Sequence, residues 1–429
     1  MTTHHLDRII SSHQTSHPQG IASICSAHPW VLRAAFQQMR ADDYVLIEAT
    51  CNQVNQFGGY TGMTPADFVA YVRGIAAECG FPFERVILGG DHLGPNVWQS
   101  EESASAMEKS IDMIRAFVRA GFVKIHLDAS MRLADDPPGV LDPELSARRA
   151  AQMAKAAEQA CSVPPRYVIG TEVPVPGGAK EHEEGVAVTT PASAAETIEL
   201  ARAAFRREGI EAAFERVIAV VVQPGVEFGD DFVLEYAPEK AAGLARFIET
   251  QPGLVYEAHS TDYQTKEALA ALVRDHFGIL KVGPGLTFAF REAAFALAMM
   301  EAELLPPARR SWLIETLDEV MQKKPTHWMK YYQGDAFAQA FARKYSLSDR
   351  SRYYWPEPPV QAAFDKLLAN LGAHPIPIPL LDQYSPQQCE RIRAGLIANM
   401  PAAILLDRVQ DVLRDYAFAC RPEEAVAGR

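Results

Sequence analysis

Eight short runs rich in valine and isoleucine, spread over the first 282 residues, constrain this chain more than any other feature. They are Ile21–Cys25, Val45–Ala49, Val86–Gly89, Val123–Leu127, Tyr167–Gly170, Val217–Val222, Leu254–Ala258 and Ile279–Val282. They are nearly continuous in hydrophobicity, as parallel strands covered on both faces are. The longer stretches between them carry helix signals. Thr64-Pro65, Asp142-Pro143 and Thr190-Pro191 each pair an N-cap residue with a proline at the first helical position. Met107, Ile111, Ile114, Phe117 and Val118 mark one apolar helical face that stops at Gly121. Strand and helix alternating to eight strands predict an α/β chain closed as a (β/α)8 TIM barrel. A doubly wound open sheet would carry a glycine-rich turn after its first strand, and Cys25-Ser26-Ala27-His28-Pro29 is not one. The barrel is expected over residues 1–305, with Arg291–Leu305 as its last helix. Residues 306–429, with proline-rich loops such as Pro375–Pro379, are expected to form a helical extension packed on it.

A net charge of −13 argues against a nucleic-acid or anionic-membrane partner, since both need a basic surface. The polar, histidine-rich N-terminus has no apolar signal core, and no apolar run reaches spanning length. Six scattered cysteines form no CxxC pair, which fits reduced thiols and a cytoplasmic location.

Barrel enzymes build their sites where strands end. The residues at those ends are Ser26 and His28; Glu48, Thr50 and Asn52; Asp91 and His92; Asp128 and Ser130; Glu172; Gln223 and Glu227; His259 and Asp262; and Lys281, Gly283 and Gly285. One such residue is ordinarily a cap, but polar groups at nearly every strand end point to catalysis. His92, His259 and Glu172 suit a divalent metal and leave a coordination position open for substrate. Asp91 is a candidate acid/base group. Lys281 is either a phosphate contact, a Schiff-base lysine or a core lysine paired with a carboxylate. Gly283-Pro284-Gly285 is a candidate phosphate cradle of backbone N–H groups.

Longer motifs carry a resemblance. Ile47 to Met63 (IEATCNQVNQFGGYTGM), Gly89-Gly90-Asp91-His92-Leu93-Gly94-Pro95, Lys124 to Ser130 (KIHLDAS) and Gly170-Thr171-Glu172-Val173-Pro174 are its first part. Val222 to Phe228 (VQPGVEF), Ala258 to Tyr263 (AHSTDY), His327-Trp328 and Asp349 to Trp355 (DRSRYYW) complete it. Together they resemble the Z-subunit family of tagatose-bisphosphate aldolase, which in turn is similar to the class II, metal-dependent ketose-bisphosphate aldolases. That resemblance implies zinc, or alternatively Mn2+, Co2+ or Mg2+, on His92, Glu172 and His259, with Asp91 as proton donor. Gln223 stands where those aldolases have a zinc-binding histidine, so a weaker site, a harder ion or a different ligand set is implied.

Three activities follow from the family. The preferred expectation is a metal-dependent 4-epimerase interconverting D-tagatose 6-phosphate and D-fructose 6-phosphate by retro-aldol and aldol steps, within galactitol and tagatose catabolism. Asp91 and either Asp128 or Glu227 would act as acid/base groups on opposite faces. Glu48, Asn52, Lys281, Gly283, Gly285, Arg350 and Arg352 would contact the substrate. The alternative is a non-catalytic, chaperone-like subunit beside an aldolase partner. A tagatose 6-phosphate kinase is disfavoured, because no GxxxxGK[ST] loop is present. The chain is expected to assemble with itself and to bind a ketohexose phosphate.

Overall fold

The computed structural model describes residues 4–40, 43–170 and 186–421. Eight parallel strands close into a barrel. They are β1 (Ile21–Cys25), β2 (Val45–Thr50), β3 (Val86–Leu93), β4 (Lys124–Leu127), β5 (Arg166–Ile169), β6 (Val217–Val221), β7 (Val255–Ala258) and β8 (Phe277–Val282). Each pairs with its sequence neighbour, and β8 closes on β1 through Ile21 opposite Ile279 and Ile24 opposite Val282. The expected strands coincide with these within a few residues. β3 alone runs four residues further, to Leu93, because its ladder to β4 shifts register between Gly90 and Leu93. The helices also start where their caps predict. Thr64 and Asp67 form a reciprocal capping box ahead of Pro65–Glu78, and Gly121 ends Ser103–Ala120 at φ 100°. The last barrel helix begins earlier than expected, at Pro284 in place of Arg291. Gly283-Pro284 is therefore a helix start with proline at N1.

Inside the barrel the side chains form layers. At the bottom, Ile21, Leu46, Ile87, Val168, Val221, Val255 and Ile279 make a small apolar core of their own. The N-terminal helix His5–Ser12 inserts Leu6, Ile9 and Ile10 into that core and plugs the barrel from below. The larger core lies between the strands and the surrounding helices. Helices after Leu304 pack against this outer wall. The longest of them, Pro401–Cys420, lies against Pro29–Gln38, Lys266–Arg274 and Pro284–Leu304, so it straps the seam where β8 meets β1. Gly20 N–H donates to Cys420 O at 3.1 Å, and the Tyr416 hydroxyl lies 2.9 Å from Thr261 Oγ1. Among the described residues, no helix is long and apolar enough to cross a membrane.

Leu6 is fully buried in the plug. Leu6→Ala is expected to cost about 2–5 kcal/mol of unfolding free energy. Urea titration followed by circular dichroism measures it, and a loss below 1 kcal/mol would mean the plug is not part of the cooperative core.

Candidate active site at the barrel mouth

Side chains of a strand alternate in direction, so residues two apart share the barrel interior. On β4 this brings Lys124, His126 and Asp128 inward one above another, and on β7 it does the same for Val255, Glu257 and His259. Lys124 is fully buried, with Nζ 2.5 Å from Glu48 Oε1 and 2.6 Å from Glu257 Oε2. Lys281 on β8 is shared between Glu48 and Asp91, 2.7 Å from Asp91 Oδ1. An ionic layer thus lies on top of the apolar plug. Gly89 makes room for it, since a Cβ there would meet Glu48 Oε1 at 2.4 Å.

Above this layer three imidazoles converge. The ring centroids of His92, His126 and His259 are 4.8–5.2 Å apart. The bulge in β3 lets the adjacent Asp91 and His92 both face inward, with His92 in the left-handed region at φ 46°. Each imidazole has one nitrogen facing a carboxylate. His92 Nδ1 is 2.8 Å from Asp128 Oδ2, His259 Nε2 is 3.0 Å from Glu257 Oε1, and His126 Nδ1 is 3.1 Å from Asp91 Oδ1. Carboxylates in this position fix the tautomer and orientation of metal-binding histidines. The His92 N–H also donates to His126 Nδ1 at 3.2 Å, a bond that competes with Asp91 for this nitrogen. A cation at Nε2 would select the tautomer that donates from Nδ1 to Asp91, at the cost of the bond from the His92 N–H.

The charges follow from these contacts. Burial pulls the His259 imidazole down to about 4, against its bond to Glu257, so it is neutral near pH 7. Burial also lowers His92, but Asp91 and Asp128 outweigh it and the net shift is upward. Burial would raise Asp91, yet His92 and Lys281 hold it well below the usual carboxylate range. Asp128 is likewise held low by His92, and Glu257 by Lys124 and His259.

These residues fit a divalent metal. Atoms of Asp91, His92, His126 and His259 all lie within 4.8 Å of one another. His126 Nε2 is buried with no hydrogen-bond partner. Lys124 and Lys281 pair with Glu48, Asp91 and Glu257, while a fourth carboxylate, Asp128, faces His92 and Ser130. Two lysines among four carboxylates leave the cluster net negative even with His92 protonated, and a divalent cation would supply the missing charge.

The layer opens into a cavity of about 1570 Å3, bordered by Asn52, Asp91, His92, Asp128, His259, Lys281, Gly283, Arg350 and Arg352 among others. Among the described residues Glu48, Gln223, Glu227 and Gly285 do not border it. Glu48 is an inner residue of the ionic layer. Gln223 Oε1 is spent on the Gly225 N–H at 2.8 Å, and Glu227 lies in a two-stranded hairpin (Glu227–Phe228 with Val233–Leu234). The expected glycine cradle is also taken, because Asp262 Oδ1 accepts from the N–H of Gly283 and Gly285 at 2.9 and 2.7 Å. Glu172 lies outside the described residues. His126, Lys124 and Glu257 were missed by a reading confined to strand ends, and counting back by two from Asp128 and His259 finds all three.

Two predictions follow from these charges. Lys124→Met leaves Glu48 and Glu257 facing each other without their shared cation, so a loss of about 3–5 kcal/mol is expected in denaturant titration. Burial also pushes the Asp262 carboxyl up to about 6, against the pull of the two glycine N–H groups. The native chain therefore takes up a proton as pH falls through that value, and this stabilising contribution disappears as pH rises past it. Asp262→Asn is expected to match the wild type near pH 4 and to gain on it, on the order of 2 kcal/mol, near pH 7.5. Thermal melts at both values check this, and an equal difference at the two pH values would refute it.

Comparison with known proteins agrees with this architecture. The family described as "D-tagatose-1,6-bisphosphate aldolase subunit GatZ/KbaZ-like" matches residues 6–421. A protein of Salmonella paratyphi B named D-tagatose-1,6-bisphosphate aldolase subunit GatZ is 54% identical over 426 residues, covering 98% of this chain and all of the relative. The protein of that name from Klebsiella pneumoniae is 55% identical over 423 residues, covering 97% and 99%. A crystal structure from Sinorhizobium meliloti, titled a probable tagatose 6 phosphate kinase, superposes with a TM-score of 0.88 at 48% identity, over 94% of this chain and all of that one. The chain belongs to the GatZ/KbaZ-like family of D-tagatose-1,6-bisphosphate aldolase subunits.

Proposed function

We propose that this chain is the Z-type subunit of a D-tagatose-1,6-bisphosphate aldolase and works beside a separate aldolase subunit on ketohexose phosphates. The observation that carries this reading is end-to-end identity of 54% with a relative bearing that name. It favours the subunit role over the stand-alone 4-epimerase expected from the strand ends. The kinase activity after which the Sinorhizobium protein is named gains nothing from this sequence, which lacks a GxxxxGK[ST] loop.

A second reading rests on the histidine cluster. A non-catalytic subunit has no need of three imidazoles, each backed by a carboxylate, around an orphaned nitrogen. In this reading His92, His126 and His259 hold a divalent ion, with zinc the best match to imidazole and Co2+ or Mn2+ next. Such an ion supplies a Lewis acid for a ketose carbonyl. Asp91, kept ionised beside Lys281, would take and return the proton of a sugar hydroxyl, and Asp128 would hold His92 in register. Epimerisation at C4 is the reaction that such a site could run without a partner.

Proton NMR of the pure chain with D-tagatose 6-phosphate separates the two. The subunit reading expects no turnover by the chain alone and a several-fold gain in bisphosphate cleavage when it is added to the aldolase partner. Conversion to fructose 6-phosphate that stops on chelation would instead establish the second reading. For the metal, His126→Ala is expected to weaken Zn2+ or Co2+ binding 10- to 100-fold in equilibrium dialysis with elemental analysis. Undiminished affinity would remove His126 from the ligand set.

A further inference from the structure

In barrels of this type the turn after the last strand, with the N-terminus of the following helix, is the usual seat for a phosphate. In this chain a carboxylate already sits there. Asp262 Oδ1 accepts from both Gly283 and Gly285 at the start of helix Pro284–Leu304. Asp262 is only 3% exposed, yet it borders the cavity. It places negative charge where a phosphate would have to enter. Lys281, the barrel cation that borders the cavity, is committed to Glu48 and Asp91.

The cations without such commitments are on the extension. Lys330, Arg350 and Arg352 border the same cavity. Their hydrogen-bond and ring partners among the described residues are neutral, although Arg352 also lies in the field of Asp349 and Asp262. Arg350 Nη1 donates to His327 O, Arg352 donates to the carbonyls of Ser348 and Asp349 and to the Tyr353 hydroxyl, and Lys330 lies over the Tyr331 ring. Arg350 is the sharpest case. It is 6% exposed, its Nε is buried with no hydrogen-bond partner, and its guanidinium lies 3.1 Å from the centroid of Tyr331. A guanidinium withdrawn from water without a counter-ion is costly, and an anion in the cavity removes that cost. This positive corner is the more notable on a chain of net charge −13.

We infer that Lys330, Arg350 and Arg352 form the phosphate subsite of this cavity, and that Asp262 is a built-in carboxylate excluding phosphate from the glycine turn. The inference rests on the reading that the ligand is a sugar phosphate. It turns the phosphorylated end of the ligand toward the extension and leaves the other end for the histidine cluster.

Calorimetric titration of the full chain with D-tagatose 6-phosphate and with unphosphorylated D-tagatose tests it. The wild type is expected to bind the phosphorylated sugar at least tenfold more tightly. Arg350→Gln is expected to lose roughly tenfold of that preference and Lys330→Gln several-fold, with tagatose binding unchanged. Lys330 is exposed, so its variant reports on binding even if Arg350→Gln folds poorly. A preference that survives both changes would overturn the inference while leaving the sugar-phosphate reading intact. No preference in the wild type would overturn both. Asp262→Ala frees the two glycine N–H groups and is expected to restore phosphate preference to Arg350→Gln. A folded double variant without that recovery would overturn the role given to Asp262.

Discussion

The position of Lys124 governs what this barrel can present at its mouth. Its ammonium is wholly withdrawn from water between carboxylates of β2 and β7, on opposite sides of the strand that carries it. Burying that charge is tolerable only because both glutamates close on it. Its geometry then propagates upward. Glu257, fixed below by Lys124, has its other oxygen free to orient His259. Glu48, fixed in the same way, shares Lys281 with Asp91, and Asp91 reaches His126. His126 and His259 are thus aimed by a chain of charges anchored at the barrel axis, and His92 by Asp128 beside them. An apolar layer in its place would pack as well but would leave the rings unoriented.

Much of the fold was legible because parallel strands and capped helices write themselves locally. Eight apolar runs, three cap-proline pairs and a terminal glycine needed no knowledge of distant residues. The site was legible only in outline. Asp91, His92, Asp128 and His259 do converge, since strand ends of a closed barrel must. His126 was overlooked because it lies inside a strand, where a histidine reads as core until the period of two is counted. The fate of Gly283 and Gly285 could not be read at all, because the carboxylate that claims their N–H groups comes from a residue more than twenty positions earlier. Gln223 resembled a ligand by its place in a motif, but its side chain serves the turn it belongs to.

The cavity divides into two electrostatic territories. The barrel contributes carboxylates and imidazoles, an environment suited to a cation. The extension contributes guanidinium and ammonium groups among tyrosines, an environment suited to an anion. A sugar phosphate has both needs in one molecule, with oxygens to share with a metal at one end and a dianion at the other. The extension therefore supplies a wall of the cavity, and Arg350 and Arg352 reach the cavity only when residues beyond the eighth strand have folded onto it.

The bond from Gly20 to Cys420 has a consequence for how the molecule is made. It joins the start of the first strand to the end of the last described helix, across 400 residues of chain. The helix ending at Cys420 straps the seam between β8 and β1, so that clamp forms only once residues 401–420 have left the ribosomal tunnel. During synthesis the seam between β1 and β8 is held until then by its own backbone ladder alone, and an unclamped pair of strand edges is prone to improper pairing. A chain without residues 401–420 would possess every site residue and leave that seam unstrapped.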